Sequence, residues 1–245
     1  MNLKIFSFFI EKLNKAFDLP KYDGLVIEGS SIFEDLPWTP ARLEKFKRVV
    51  EDEFGVAVNF SGTISKIIDE INEKYTTAFF KNGGRWHPRT DDFEYTGWKI
   101  IEKINAENPS AVLDVGCGYN LFKGKIQNLV GIDKFNSAAD FMVDIMEYDV
   151  APETYDTTIV FGSINFGTFD NICEQMKKVV SLTKKRGMIY IRANAGEPHP
   201  NGKYIDLYYW TFKDAMTIAE NIDCELITLK KDNHSRIYIE MRKNP

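Results

Sequence analysis

The sequence predicts an α/β fold: a doubly wound sheet with an antiparallel C-terminal strand, preceded by a small helical domain. Three observations carry this. Val112 to Asn120 reads Val-Leu-Asp-Val-Gly-Cys-Gly-Tyr-Asn, a short buried strand running into a glycine turn. Further apolar runs at 129–132, 157–161 and 188–191 are joined by turns and one helical stretch, as in a mainly parallel sheet. The last two runs, 225–229 and 236–241, are separated only by 230–235, too short for a parallel crossover, so they must pair antiparallel.

Composition bounds the reading further. With 245 residues, 44% of them hydrophobic and 27% charged, the chain can bury a sizeable core and one smaller second unit. A net charge of −5 argues against nonspecific binding to nucleic acid or anionic membrane, which needs clustered Lys and Arg. Cys117, Cys173 and Cys224 are odd in number, widely spaced and without a CxxC pair, so neither a disulfide framework nor a metal site is expected. A reducing cytoplasm fits this usage. The apolar run Ile5 to Ile10 is cut by Glu11 and Lys12, too early for a targeting segment or a membrane span.

Taken in order, apolar residues at three- and four-residue spacing predict an amphipathic helix over 3–17. Thr39 can cap a second helix with Pro40 at its first position, Leu43, Phe46, Val49, Val50 and Phe54 on the buried face, and Gly55 as its stop. Ile64, Ile67, Ile68 and Ile71 form the stripe of a third helix before Tyr75. This helical domain is placed at 1–75. Residues 76–97 mix Phe79, Phe80, Arg85, Trp86, His87, Arg89, Phe93 and Tyr95 in a polar segment, read as a linker or a lid, with Arg85 and Trp86 as substrate-side candidates.

The sheet domain, 98–245, opens with a helix over 98–105. Asp133 ends the second strand about 20 positions beyond the first, the usual place of a ribose-binding carboxylate. A third short strand, 141–143, is expected before Asp144 and Ile145, where an acid can accept from an adenine amino group while an aliphatic side chain packs on the ring. Lys184, Lys185 and Arg186 read as charge partners for the end of a helix over 170–183. The loop from 192 to 209 leaves the ligand-binding edge of the sheet and holds His199, Tyr208 and Tyr209. His199 is the single candidate for proton removal, and the two tyrosines are candidate aromatic walls.

Two resemblances follow from these residues. Phe33-Glu34-Asp35-Leu36, Leu43 and Val50 to Val56 resemble the centre of an acyl carrier protein over about residues 3–75, but Pro40 stands where that family attaches phosphopantetheine to serine. The bundle is therefore expected to serve recognition, support or dimer contact. The order of elements from 96 to 243 resembles a class I S-adenosylmethionine-dependent methyltransferase, with its Rossmann-like sheet.

The second resemblance implies S-adenosylmethionine as cofactor. Asp114, Gly116, Cys117 and Gly118 would face its methionine part, Asp133 the ribose, Asp144 and Ile145 the adenine, and Phe161 and Gly162 would line the pocket. The acceptor would be a small or carrier-bound molecule. Asn120 replaces a common family glycine, and Asn tolerates the left-handed backbone such a turn needs. Gly162-Ser163-Ile164-Asn165 departs from the paired-proline signature of amino-methylating relatives, which disfavours methylation of base or amide nitrogen. A noncatalytic scaffold with this fold, and an NAD-dependent oxidoreductase, remain as alternatives; the latter would want a third glycine where Leu121 stands.

Overall fold

The computed structural model describes residues 2–16, 38–81, 98–196, 202–232 and 236–245. The chain divides into a helical unit, residues 1–83 with 202–205, and a sheet unit formed by the rest. Among the described residues, no helix is long and apolar enough to cross a membrane.

The helical unit contains α1 (Leu3–Ala16), α2 (Pro40–Phe54) and α3 (Ile64–Lys81). Helix α2 begins as its sequence dictates: the Thr39 hydroxyl accepts from the Arg42 N–H, Pro40 fills the first turn, and Gly55 stops the helix at φ +65°. Ile64, Ile67, Ile68 and Ile71 are fully buried, each worth roughly 1.5–3 kcal/mol of burial. Two expectations are corrected. Val49 is exposed, because the buried stripe follows Phe46, Val50 and Phe54 and leaves position 49 beside it. Residues 76–81 belong to α3, so the segment placed between the units begins later than its composition suggests.

The core of this unit is closed from far along the chain. Tyr204 is buried among Phe8, Phe54 and Tyr75, with ring centroids 6.1, 4.6 and 5.6 Å away. Its hydroxyl donates to Glu53, its carbonyl accepts from the Asn2 amide at 2.7 Å, and Lys203 pairs with Glu53 at 2.7 Å.

The sheet unit holds α4 (Ile100–Ala106), β1 (Val112–Val115), β2 (Leu129–Ile132), β3 (Tyr155–Phe161), α5 (Phe169–Leu182), β4 (Thr183–Ala193), α6 (Phe212–Asn221), β5 (Cys224–Lys231) and β6 (Ile237–Lys243). The six strands lie in the order β2-β1-β3-β4-β6-β5. Strands β1 to β4 pair in parallel, whereas β6 pairs antiparallel with both β4 and β5. Alternate residues feed two cores, as a sheet covered on both faces requires. Leu113, Val160, Ile189 and Ile191 pack with α5 and α6, while Val112, Ile159, Met188 and Tyr190 pack with α4, Phe122 and Ile126.

Two further expectations change here. The strand expected at 141–143 is reduced to one bridge, Ile132 to Phe141, with Phe141 and Met142 exposed. Local competition explains it: the Asp133 carboxylate takes the Phe135 and Asn136 N–H groups, and Asp144 takes that of Met146, so the backbone turns rather than extends. Lys184, Lys185 and Arg186 do not end the helix but open β4, within the four residues that bulge opposite Asp156 between the pairs Tyr155–Thr183 and Thr157–Met188. Lys184 turns back to Asp156 at 2.7 Å, and Asp156 also takes the Ser110 and Ala111 N–H groups at 2.7 and 2.9 Å.

Candidate functional site

Parallel strands of an open sheet point their carboxyl ends at one edge, and the first glycine turn lies there. Asp114 sits in β1 and is almost fully buried. Burial, and after it the Asp133 carboxylate, push its carboxyl up to about 7, and no side chain among the described residues pairs with it. A buried acid of this kind can be matched by a cation or a hydrogen-bond donor.

The two glycines of the turn differ. Gly116, at φ +67°, leaves no room for a side chain: a β-carbon there would meet that of Ser163 at 2.2 Å. Gly118, at φ +54°, faces open space, with nothing within 4 Å of where its β-carbon would lie. Thus Gly116 lets the ends of β1 and β3 approach, and Gly118 leaves backbone accessible to a ligand. Asn120 adopts φ +54°, the left-handed conformation expected of it. From Cys117 to Asn128 the chain runs in turns without a helix.

Around this turn the polar groups form a frame. The Gly118 N–H donates to Asp133 Oδ2 at 3.0 Å, while Asp133 Oδ1 holds the Phe135 and Asn136 N–H groups at 2.8 Å each. Asp140 Oδ2 accepts from Gly131 N and from Lys123 Nζ, both at 2.8 Å, which overcomes its burial and holds its carboxyl below the usual range. The Asn120 amide donates to Ala138 O at 3.1 Å. Two buried oxygens are left over, Asn120 Oδ1 and Ser163 Oγ, neither with a hydrogen-bond partner. Gly131 packs under Asn120 and Cys117, where a β-carbon would fall 2.5 Å from Asn120 Oδ1 and 2.9 Å from Cys117 Sγ. Burial first, and then Asp114, Asp133 and Asp140, push the Cys117 thiol up, so it is neutral and unreactive.

The remaining candidates fall in different places. Asp144 is half-buried, accepts from Met146 N at 2.9 Å and pairs with Lys134 at 3.3 Å. Ile145 is 6% exposed and belongs to the hydrophobic core. The Phe161 ring packs against Phe122 and the α4 core, while Gly162, at φ +78°, donates to Arg192 O. Tyr208 packs on Phe169 and Trp210, and burial, followed by Asp214, pushes its hydroxyl up to about 12. Tyr209 is exposed. Arg85, Trp86, His87 and Arg89 lie outside the described residues, as does His199; so does the third histidine, His234. No group of three His, Cys, Asp or Glu among the described residues could hold a metal ion.

Sequence reasoning missed Ser163, Asn120 Oδ1 and Asp140 as parts of this frame. The sequence signals Asn120 only through its backbone conformation, and Ser163 only through its place directly after the fourth predicted strand; Asp140 carries no signal.

No protein-family profile and no curated protein sequence matches the chain. Solved structures do match. The N-methyltransferase NodS from Bradyrhizobium japonicum WM9, in complex with S-adenosylhomocysteine, superposes with a TM-score of 0.56 and 13% identity, covering 71% of this chain and all (100%) of that one. The 1,6-didemethyltoxoflavin-N1-methyltransferase from Burkholderia thailandensis, with bound 1,6-didemethyltoxoflavin and S-adenosylhomocysteine, gives 0.54 and 12%, covering 71% and 88%. The magnesium protoporphyrin IX methyltransferase from Synechocystis PCC 6803, with bound S-adenosylmethionine, gives 0.50 and 13%, covering 71% and 97%. The chain has the Rossmann-like fold of the S-adenosylmethionine-dependent methyltransferases.

Proposed function

We propose that the protein transfers a methyl group from S-adenosylmethionine to a small-molecule or carrier-bound acceptor. The observation that carries this reading is the pairing of Asp114, a buried acid without a partner, with the open backbone at Gly118. Donors and acceptors around them suit the cofactor: Asp114 and Asp133 offer carboxylates to its amino and hydroxyl groups, and Ser163 Oγ and Asn120 Oδ1 are buried oxygens still lacking partners. The residues present therefore fit the group.

S-adenosylmethionine, when bound, supplies a methyl group activated on a cationic sulfur. The chain's own residues align the reactants and exclude water. Gly118 gives backbone access, and Asp114 would hold a positive charge at the end of β1 in its ionised form. Asp133 keeps Oδ1 on the backbone of the following turn, and its Oδ2, shared with the Gly118 N–H, would accept from a ribose hydroxyl. Asp144 is assigned to the adenine amino group. Ile145 supports that position from the core rather than by an exposed face. Tyr208 stays protonated at neutral pH and is assigned to a wall, not a base. Arg85, Trp86 and Tyr209 are assigned to the acceptor side, and His199 to proton removal where the acceptor needs it.

The dinucleotide alternative is weakened by the turns over 117–128, since pyrophosphate binding uses a helix N-terminus after the glycine loop. A noncatalytic reading draws on Asp133, whose oxygens are already engaged by three N–H groups. Calorimetric titration with S-adenosylmethionine, S-adenosylhomocysteine and NAD separates the three: binding of the first two supports methyl transfer or its noncatalytic relic, and NAD binding alone would overturn both. Turnover of candidate acceptors by mass spectrometry then divides enzyme from relic.

A further inference from the structure

The amino edge of the parallel strands, opposite the glycine turn, holds a second concave surface. Strands β1, β3 and β4 are in register there at Val112, Thr157 and Met188. Between the bulge that opens β4 and the loop from α4 to β1 lies a cleft of about 370 Å³, lined by residues 107–110, 156–157 and 184–188. Within the run of three cations on the bulge, the duties differ. Lys184 is engaged: its Nζ pairs with Asp156 at 2.7 Å and donates to Ser110 Oγ at 3.0 Å, so this lysine and Asp156 cancel. Lys185 and Arg186 line the cleft and are exposed, and neither side chain forms an ion pair or a hydrogen bond among the described residues.

The backbone holds these two free cations in place. Gly187 is packed so tightly that a β-carbon there would fall 2.7 Å from Asp156 O and 2.8 Å from Lys184 O. Arg186 adopts φ +60°, a left-handed conformation that glycine would take without strain, yet the chain places a guanidinium there. On the facing wall the Asn108 side chain forms no hydrogen bond, and Glu107 supplies the remaining carboxylate. With Lys184 and Asp156 cancelled, two cations face one anion.

We propose that this cleft binds the phosphate group of a small phosphorylated molecule. A guanidinium offers paired donors to two oxygens of a dianion, an adjacent ammonium meets the third, and the Asn108 amide can add a neutral donor. The volume lies within the roughly 300–1,000 Å³ of small-ligand sites. A polynucleotide is disfavoured by Glu107 in the lining and by the chain's net charge of −5. The site shares no residue with the glycine turn and does not rest on the methyl-transfer reading.

Phosphorus NMR titration of the full-length protein with glucose 6-phosphate and with inorganic pyrophosphate, at constant ionic strength, tests it. Binding of either at millimolar concentration is expected. Arg186→Gly relieves the left-handed strain, so its melting temperature should hold or rise while affinity falls about tenfold, on the scale of one charge-assisted bond. Lys185→Ala should weaken binding several-fold, and Glu107→Gln should strengthen it by removing the opposing charge. No binding in that range, or equal affinity in wild type and Arg186→Gly, overturns the proposal. A single-stranded RNA oligonucleotide that binds at least tenfold more tightly than pyrophosphate, and loses that affinity in Arg186→Gly, also overturns it and assigns the cleft to a polynucleotide.

Discussion

Gly116 backs onto Ser163 so closely that any β-carbon at position 116 would come within 2.2 Å of the serine's own. The contact joins the ends of β1 and β3, and the backbone there is left-handed as well. Gly116→Ala is therefore expected to destabilise the protein by about 2–4 kcal/mol, from overpacking and strain together. Gly118→Ala shares the strain but meets open space, so it should cost only about 1 kcal/mol. If Gly118 borders the proposed cofactor site, its larger effect is expected on binding, since the added methyl group enters the open space beside the turn. Denaturant titration and calorimetry with S-adenosylhomocysteine on both variants check this crossed pattern; equal stability losses would contradict it.

Asp114 should trade stability for binding. Its carboxyl is raised from 3.8 to about 7, so the folded protein holds this proton over a range where the unfolded chain has released it. Stability from this group is greatest below pH 4 and declines as pH rises to about 7. Asp114→Asn removes that decline. At pH 8 the variant is expected to be more stable by about 2 kcal/mol, since each tenfold change in proton affinity is worth about 1.4 kcal/mol and a buried amide keeps part of the cost. The same variant should lose affinity for S-adenosylhomocysteine by tenfold or more, on the scale of one charge-assisted bond. Higher stability without weaker binding would remove Asp114 from the cofactor site.

The binding side of that linkage has the opposite sign. A ligand amine favours ionised Asp114, so binding takes up the cost of deprotonation below about pH 7. S-adenosylhomocysteine affinity is expected to rise from pH 6 to pH 8 in the wild type and to stay nearly flat in Asp114→Asn. Parallel profiles for the two proteins would assign the titration to another group.

Asp133→Ala removes the acceptor for Gly118, Phe135 and Asn136 N–H groups and should cost about 2 kcal/mol. Asp133→Asn retains one carbonyl acceptor, most usefully for the paired N–H groups of Phe135 and Asn136. It should recover much of the stability while binding S-adenosylhomocysteine several-fold more weakly than wild type. Melting temperature and calorimetry on the pair separate the turn-forming role from the ligand-facing one.

Acid stability depends on a different carboxylate. Burial alone would raise Asp156, but Lys184, Ser110 and the Ala111 N–H outweigh it and hold the carboxyl at about 2. This stabilisation is complete above roughly pH 4 and disappears as pH falls toward 2. Asp156→Asn should flatten the acid limb of the stability profile, measured by denaturant titration from pH 2 to 5.

The parts of the fold that periodicity governs could be read directly. The isoleucine stripe of α3, the Thr39–Pro40 start of α2 and the antiparallel pairing of β5 with β6 follow from spacing and connection length, both local properties. The bulge at Lys184–Gly187 could not, because it is fixed by Asp156 on a neighbouring strand. The vanished strand near Phe141 turned on the choice of Asp133 and Asn136 to bond their own backbone, which apolar patterning does not register. At the site, the glycine turn and its acids were visible, but the different duties of Gly116 and Gly118 depend on Ser163. Tyr204 was hidden for a related reason: its partners Glu53 and Phe54 come from another region of the chain, and no local pattern links them.

That last separation also orders events during synthesis. Helices α1 to α3 are made well before residue 204, so Phe8, Phe54 and Tyr75 lack the ring that covers them until the chain has grown past Tyr204. At ribosomal speed this leaves an incomplete aromatic core for on the order of ten seconds, long compared with helix formation and collapse. Strands β1 to β4 can be paired by the time the missing segment arrives. The helical unit is begun before strands β1 to β4 and completed only after them.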